Sequence, residues 1–107
     1  MEKEVVAELA IVPLGTADTG LSRYIAACLE ILRNNEDIQY QLTAMGTVMQ
    51  GPLSRILEVA QQMHEVPFSM GVSRVFTTLK IDDRRDRSET IEHKVEAVLE
   101  FEKAKGE

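Results

Sequence analysis

From Val5 to Val12 the chain is almost continuously apolar and β-compatible, with Glu8 as its one charge, until Pro13 and Gly15 break the run. This predicts a first strand. Beyond a polar loop, Leu21, Ile25, Cys28, Leu29 and Leu32 recur at helical spacing. They predict a helix over roughly 21–34, with Asn34-Asn35 as its exit because Asn tolerates left-handed backbone. Ile38, Tyr40 and Leu42 alternate with Gln39, Gln41 and Thr43, the period-two pattern of a strand with one buried face. A tight connection through Ala44 to Gly46 leads into Thr47 to Gln50, so these two segments form a hairpin. Pro52 suits the first position of a second helix, where its missing N–H is no loss. Leu53, Ile56, Leu57, Ala60, Met63 and His64 define one face of that helix. Pro67 and Gly71 interrupt the chain before the longest strand candidate, Ser73 to Ile81. There Val75, Thr77, Leu79 and Ile81 point one way and Arg74, Phe76, Thr78 and Lys80 the other. After a charged turn, Ser88 caps a last helix with Ile91, Val95, Val98 and Leu99 on one face and Glu89 and Glu92 in its first turn.

Strand, helix, strand, strand, helix, strand and a further helix is the order of an α+β, ferredoxin-like βαββαβ sandwich: an antiparallel sheet, plus an additional C-terminal helix. A chain of 107 residues is a single domain, 1–107. In this topology the first strand pairs with the last, and two helices cover one sheet face. The other face carries Arg74, Phe76, Thr78 and Lys80, with Val6, Glu8, Ala10 and Val12, and Gln41 and Thr43. Four of those ten residues are apolar, a mixed face that predicts sheet-to-sheet association between subunits, with Glu8, Arg74 and Thr78 at the interface.

Composition narrows the function classes. Twelve basic against eighteen acidic residues give a net charge of −6, which repels nucleic-acid phosphates and anionic membrane surfaces and attracts a cation weakly. The arginines at 84, 85 and 87 interleave with Asp82, Asp83 and Asp86, so they cancel locally and predict ion pairs rather than a basic patch or a cation loop. Cys28 is the lone cysteine, it falls on the apolar stripe of the first helix, and it fits a reducing compartment. Met1-Glu2-Lys3-Glu4 is no secretory leader, and no apolar run approaches the ~20 residues of a membrane span. The expected location is the cytoplasm. Only His64 and His93 could serve as imidazole bases, and no activated nucleophile accompanies them, so the chain reads as a protein without catalytic, metal or cofactor machinery. Gly46 and Gly51 read as hairpin and helix-start glycines.

Met45-Gly46-Thr47 leading to Gly51-Pro52, the helix opening Ser22-Arg23-Tyr24, and Arg74-Val75-Phe76-Thr77-Thr78 running to Lys80-Ile81-Asp82 form a specific combination spread over nearly the whole chain. It resembles the small thiamine-binding proteins related to YkoF. The resemblance implies a ferredoxin-like fold, dimers or tetramers packed through their sheets, and binding of thiamine or its aminopyrimidine portion without turnover. Such a ligand needs an aromatic or methionine surface for its ring plane and donor–acceptor groups for its edge. Ser22, Thr43, Thr47, Met49, Gln50 and Phe76 supply these, with Thr47 and Gln50 foremost. One departure stands out: Gln50 occupies a position where the family pattern implies an acidic residue, so charge neutralisation falls to Glu8. The alternative reading is a small regulatory or protein-interaction domain that uses its open sheet face, and a third is an enzyme completed between subunits.

Overall fold

Alternation along β1 (Glu4–Leu14) sets the layering: Val5, Ala7, Leu9 and Ile11 are buried, while Glu8, Ala10 and Val12 face the other way and are only half-covered. The structure, a computed structural model, describes residues 3–87 and 90–106. The remaining elements are α1 (Ser22–Arg33), β2 (Gln39–Leu42), β3 (Thr47–Pro52), α2 (Leu53–Ser69), β4 (Arg74–Asp82) and α3 (Ile91–Gly106). The four strands form one antiparallel sheet in the order β2-β3-β1-β4. This is the ferredoxin-like α+β fold with an extra C-terminal helix.

The core lies between the sheet and the α1–α2 layer. Cys28, Leu29 and Leu32 of α1 and Ile56, Val59, Ala60 and Met63 of α2 close over the inner side chains of β1, with Met49 of β3 beneath them. Val75 and Leu79 pack against this cluster from β4. His64 joins α2 to β4 through Nδ1 and Thr77 Oγ1, 2.7 Å apart, and its ring meets Phe68 edge-on at 5.5 Å. Opposite the helices, the sheet face is uncovered except near one end. Across that end, Asp82, Val6, Gln50 and Gln39 form one cross-strand row.

Several local details differ from the sequence expectation. The first helix leaves through Asn34 in ordinary right-handed backbone (φ −92°), and the Asn35 amide closes it by donating to the Ile31 carbonyl at 2.6 Å. β1 continues through Pro13, because beyond Leu9 it pairs with β4 alone and a missing N–H on its free side costs no ladder bond. Pro52 is extended (φ −61°, ψ 142°) and flanks α2 as its N-cap rather than as its first helical residue. α2 runs through Pro67 to Ser69, and Val59 is buried on its core face while Leu57 is exposed. β2 is exposed throughout, Tyr40 and Leu42 included, since it is the edge strand and the core helices pack over the other three. Ser88 and Glu89, expected to open the last helix, lie outside the described residues. Thr90 caps α3, its Oγ1 accepting the His93 N–H at 3.0 Å.

Candidate functional site

The strand register decides which of the expected ligand residues can meet. Gln50 stands opposite Val6 and Arg74 opposite Leu14, eight positions apart along β1, or about 26 Å at ~3.3 Å per residue. Gln50 therefore cannot share a small ligand with Ser22, which opens α1 just beyond the Leu14 end of that strand. Its side chain is also fully engaged. Buried to 5% exposure, it donates from Nε2 to Glu4 Oε1 at 2.9 Å and accepts the Ile91 N–H on Oε1 at 3.0 Å. Gln50 is a structural clamp that ties the start of α3 to the sheet.

The other expected residues separate as well. Met49 is completely buried in the core, and Thr47 lies on the same helix-facing side with only 5% exposure. Thr43 closes the β2–β3 hairpin, its hydroxyl donating to the Gly46 carbonyl at 2.8 Å. Phe76 is 62% exposed on the open sheet face. Ser22 is exposed as the first residue of α1 and makes no capping bond, because Leu21 holds the N-cap position. Of the expected interface residues, Thr78 and Arg74 are exposed on the open face, and Glu8 lies there too. Glu8 is held by Lys80, directly across the ladder, with Nζ 2.9 Å from Oε1. Arg74 is six positions away along β1, so within one chain Glu8 and Arg74 do not pair.

A cavity of about 480 Å³ opens at the Leu14 end of the sheet. The loop that follows β1 supplies Gly15, Thr16 and Ala17, the start of α1 supplies Arg23 and Tyr24, and the α2–β4 turn supplies Met70 to Arg74. Two glycines make these walls. Gly15 (φ 74°) and Gly71 (φ 93°) are the positive-φ positions of the described chain, and each lets its loop turn back toward the other. Inside, the Arg23 guanidinium lies over the Tyr24 ring, 4.7 Å from its centroid, and donates to a Tyr24 hydroxyl 2.7 Å away. Thr16 donates to the Asp18 carbonyl at 2.6 Å, and Asp18 Oδ1 accepts the Gly20 N–H at 3.0 Å, which fixes the outer loop. The cavity unites two segments far apart in sequence, Arg23-Tyr24 and Ser73-Arg74, while Ser22, one residue before, is not among its lining. Arg23 and Tyr24 stood in a motif of the sequence without being read as site residues; the two flanking glycines were the available sign of a shaped loop end.

A smaller cleft of about 360 Å³ lies at the other end, between β2 and the first turn of α3, with Gln39, Gln41 and Glu92 among its walls. Several titratable groups elsewhere are engaged in structure. Burial pushes the Cys28 thiol up to about 11, and its Sγ lies 3.5 Å from the Met63 carbonyl it donates to. Asp83 and Asp86 are held below the usual carboxylate range by their hydrogen bonds with Arg85 and Arg84. Asp82 pairs with Lys94 of α3. None of the described helices is long and apolar enough to cross a membrane.

The domain is ferredoxin-like, and its strand-end loops build a cavity at the Leu14 end of the sheet. Residues 7–99 match the family described as thiamine-binding protein, and the chain belongs to that family. It is 43% identical over 96 residues to the UPF0045 protein YqgV of Bacillus subtilis, covering 87% of this chain and 92% of the relative. A UPF0045 protein of Methanothermobacter thermautotrophicus is 42% identical over 97 residues, covering 90% of this chain and 97% of its own. The crystal structure of hypothetical protein MJ1052 from Methanocaldococcus jannaschii superposes with a TM-score of 0.81 at 38% identity, covering 90% of this chain and 96% of that one.

Proposed function

We propose that this protein binds thiamine or its aminopyrimidine portion without transforming it, in the cavity between the β1–α1 loop and the α2–β4 turn. The observation that carries the reading is the convergence of Arg23-Tyr24 and Ser73-Arg74 on one pocket in a chain of the thiamine-binding family. At about 480 Å³ the pocket is in the range that small-molecule sites occupy. Leu14, Met70 and Val72 offer apolar surface for a heteroaromatic ring, and Thr16 and Ser73 offer hydroxyls for its edge. A binding role rather than a catalytic one is supported by the lining itself, which adds two arginines, a tyrosine and small residues to these groups and, among the described residues, carries no carboxylate, imidazole or thiol. The proposed location is the cytoplasm, on the strength of the lone thiol at Cys28.

The same proposal makes the protein a homo-oligomer packed through its open sheet face. Phe76, Thr78 and the Glu8–Lys80 pair form that surface, with Val12 directly beside Phe76 on β1. Arg74, at the rim of the cavity, is assigned to the ligand instead. The direct test is calorimetric titration with thiamine and with the aminopyrimidine half, with the recovered ligand checked by mass spectrometry. Saturable binding of unchanged ligand supports the reading, and ligand at about a hundred times its dissociation constant adds roughly 2.7 kcal/mol of stability. Absence of heat and of any midpoint shift at millimolar ligand, or recovery of a product, overturns it.

A further inference from the structure

Among the described residues, six of the lysines and arginines pair with carboxylates. Arg33 is paired with Glu30, Arg55 with Asp37 and Glu58, Arg84 with Asp86, Arg85 with Asp83, Lys80 with Glu8, and Lys94 with Asp82. Arg23 and Arg74 have no carboxylate partner among the described residues, although the chain as a whole carries a net charge of −6. Both line the same cavity, and among the described residues no acidic side chain lines it with them. In a strongly acidic protein, two guanidinium groups left without internal counter-charge and brought together from remote segments mark a place where negative charge arrives from outside. The backbone adds to this. α1 begins at the cavity without a side-chain cap and without an acidic residue in its first turn, so its positive end is not neutralised.

We infer that this cavity recognises the phosphate monoester of a small heteroaromatic ligand, Arg23 and Arg74 gripping the phosphate while Leu14, Met70 and Val72 hold the ring. This deepens the thiamine-type reading and rests on it for the identity of the ring. The arrangement also orders the candidates. Free thiamine brings a thiazolium cation toward two arginines and is the poorest fit. Its monophosphate offsets that repulsion, and the phosphorylated hydroxymethyl aminopyrimidine, which has no thiazolium, fits best. Arg23 is pre-positioned by its stacking on Tyr24 and its hydrogen bond to the phenol, so it contributes a guanidinium already ordered before the ligand arrives.

The test is calorimetry on the intact protein with four probes: thiamine, thiamine monophosphate, the phosphorylated aminopyrimidine, and inorganic phosphate. The wild type is compared with Arg74→Gln, Arg23→Gln and Lys80→Gln, the last removing a positive charge outside the cavity, with circular dichroism confirming that each variant is folded. The expected result is a preference of roughly tenfold or more for each phosphorylated form over thiamine. That preference weakens with added salt, collapses in Arg74→Gln and Arg23→Gln, and survives in Lys80→Gln. Equal affinity for thiamine and its monophosphate, or a preference that persists in both arginine variants, overturns the phosphate subsite while leaving the vitamin reading intact. Phosphate that binds the wild type but not Arg74→Gln, with none of the organic probes adding to it, supports the subsite and removes the vitamin reading. If no probe binds, both fall.

Discussion

At the scale of single residues, the strand register separates groups that lie close together in the sequence. Met49 and Gln50 are neighbours, yet Met49 points into the core and Gln50 to the opposite face, where its amide is spent on Glu4 and on the first turn of α3. Met49→Ala should therefore lower stability by about 2–5 kcal/mol, the range for emptying a buried long apolar site. It should show as a lower urea midpoint, with ligand affinity unchanged wherever the variant is folded. Gln50→Ala strips partners from the Ile91 N–H and the Glu4 carboxylate, with an expected cost of about 1–3 kcal/mol. Its signature is faster hydrogen exchange confined to the start of α3. Unchanged exchange there would show that Lys94–Asp82 holds the helix without it. Cys28, buried and with its thiol raised to about 11, should resist iodoacetamide in the native protein at about pH 8 and react only as the chain unfolds.

Among the elements, β1 was legible as a continuous apolar run, and β4 and the α1–α2 layer because a two-residue or helical period decides each of them. Val75 against Arg74 and Leu29 against Glu30 leave no second register that buries the apolar side. What the pattern could not show was where elements end. Proline at 13 and at 67 looks like a stop, yet one sits where β1 has a partner on one side only and the other falls in the final turn of α2. The cavity was illegible for a related reason: its walls are loops, which carry no period, and only the fold brings Gly15 and Gly71 together. One connection between elements also has a pH signature. The Arg55 hydrogen bonds from β3's succeeding helix to Asp37, 2.6 and 3.1 Å, hold that carboxyl below its ordinary 3.8. A depressed carboxylate contributes stability that is fully present above the unfolded value and is lost as pH falls through the lower folded value. Asp37→Asn should thus be less stable than the wild type at neutral pH, and the gap should narrow in urea titrations repeated at a second pH well below that ordinary value. A gap of equal size at both pH values would mean that packing, not charge, links the loop to α2.

The whole molecule is more extended than its length requires. Its radius of gyration is 15.9 Å, against about 13 Å for a compact domain of this size, and its longest dimension is 51 Å. α3 is a 16-residue helix that leaves large apolar side chains uncovered. It is fastened at its first turn by Gln50 and Asp82, while Val95, Val98, Leu99 and Phe101 further along are more than half exposed. A sheet face with Phe76 uncovered and a helix with an apolar stripe uncovered are two unmet surfaces on one chain, and burying both at once satisfies them better than either alone. In a two-fold assembly each surface occurs twice, so sheet packing between subunits leaves two helices free to close over the edges of the pair. The proposed association therefore makes a specific demand. Phe76→Glu places a carboxylate in the middle of the sheet contact without touching the core, and should convert the assembly to monomer by light scattering coupled to gel filtration. A chain shortened before Ile91 should keep the sheet contact but lose midpoint temperature in a concentration-dependent way, because what it sheds is the cover and not the interface. If Phe76→Glu leaves the mass unchanged while the shortened chain falls to monomer, α3 rather than the sheet carries the association, and the open face is free for another partner.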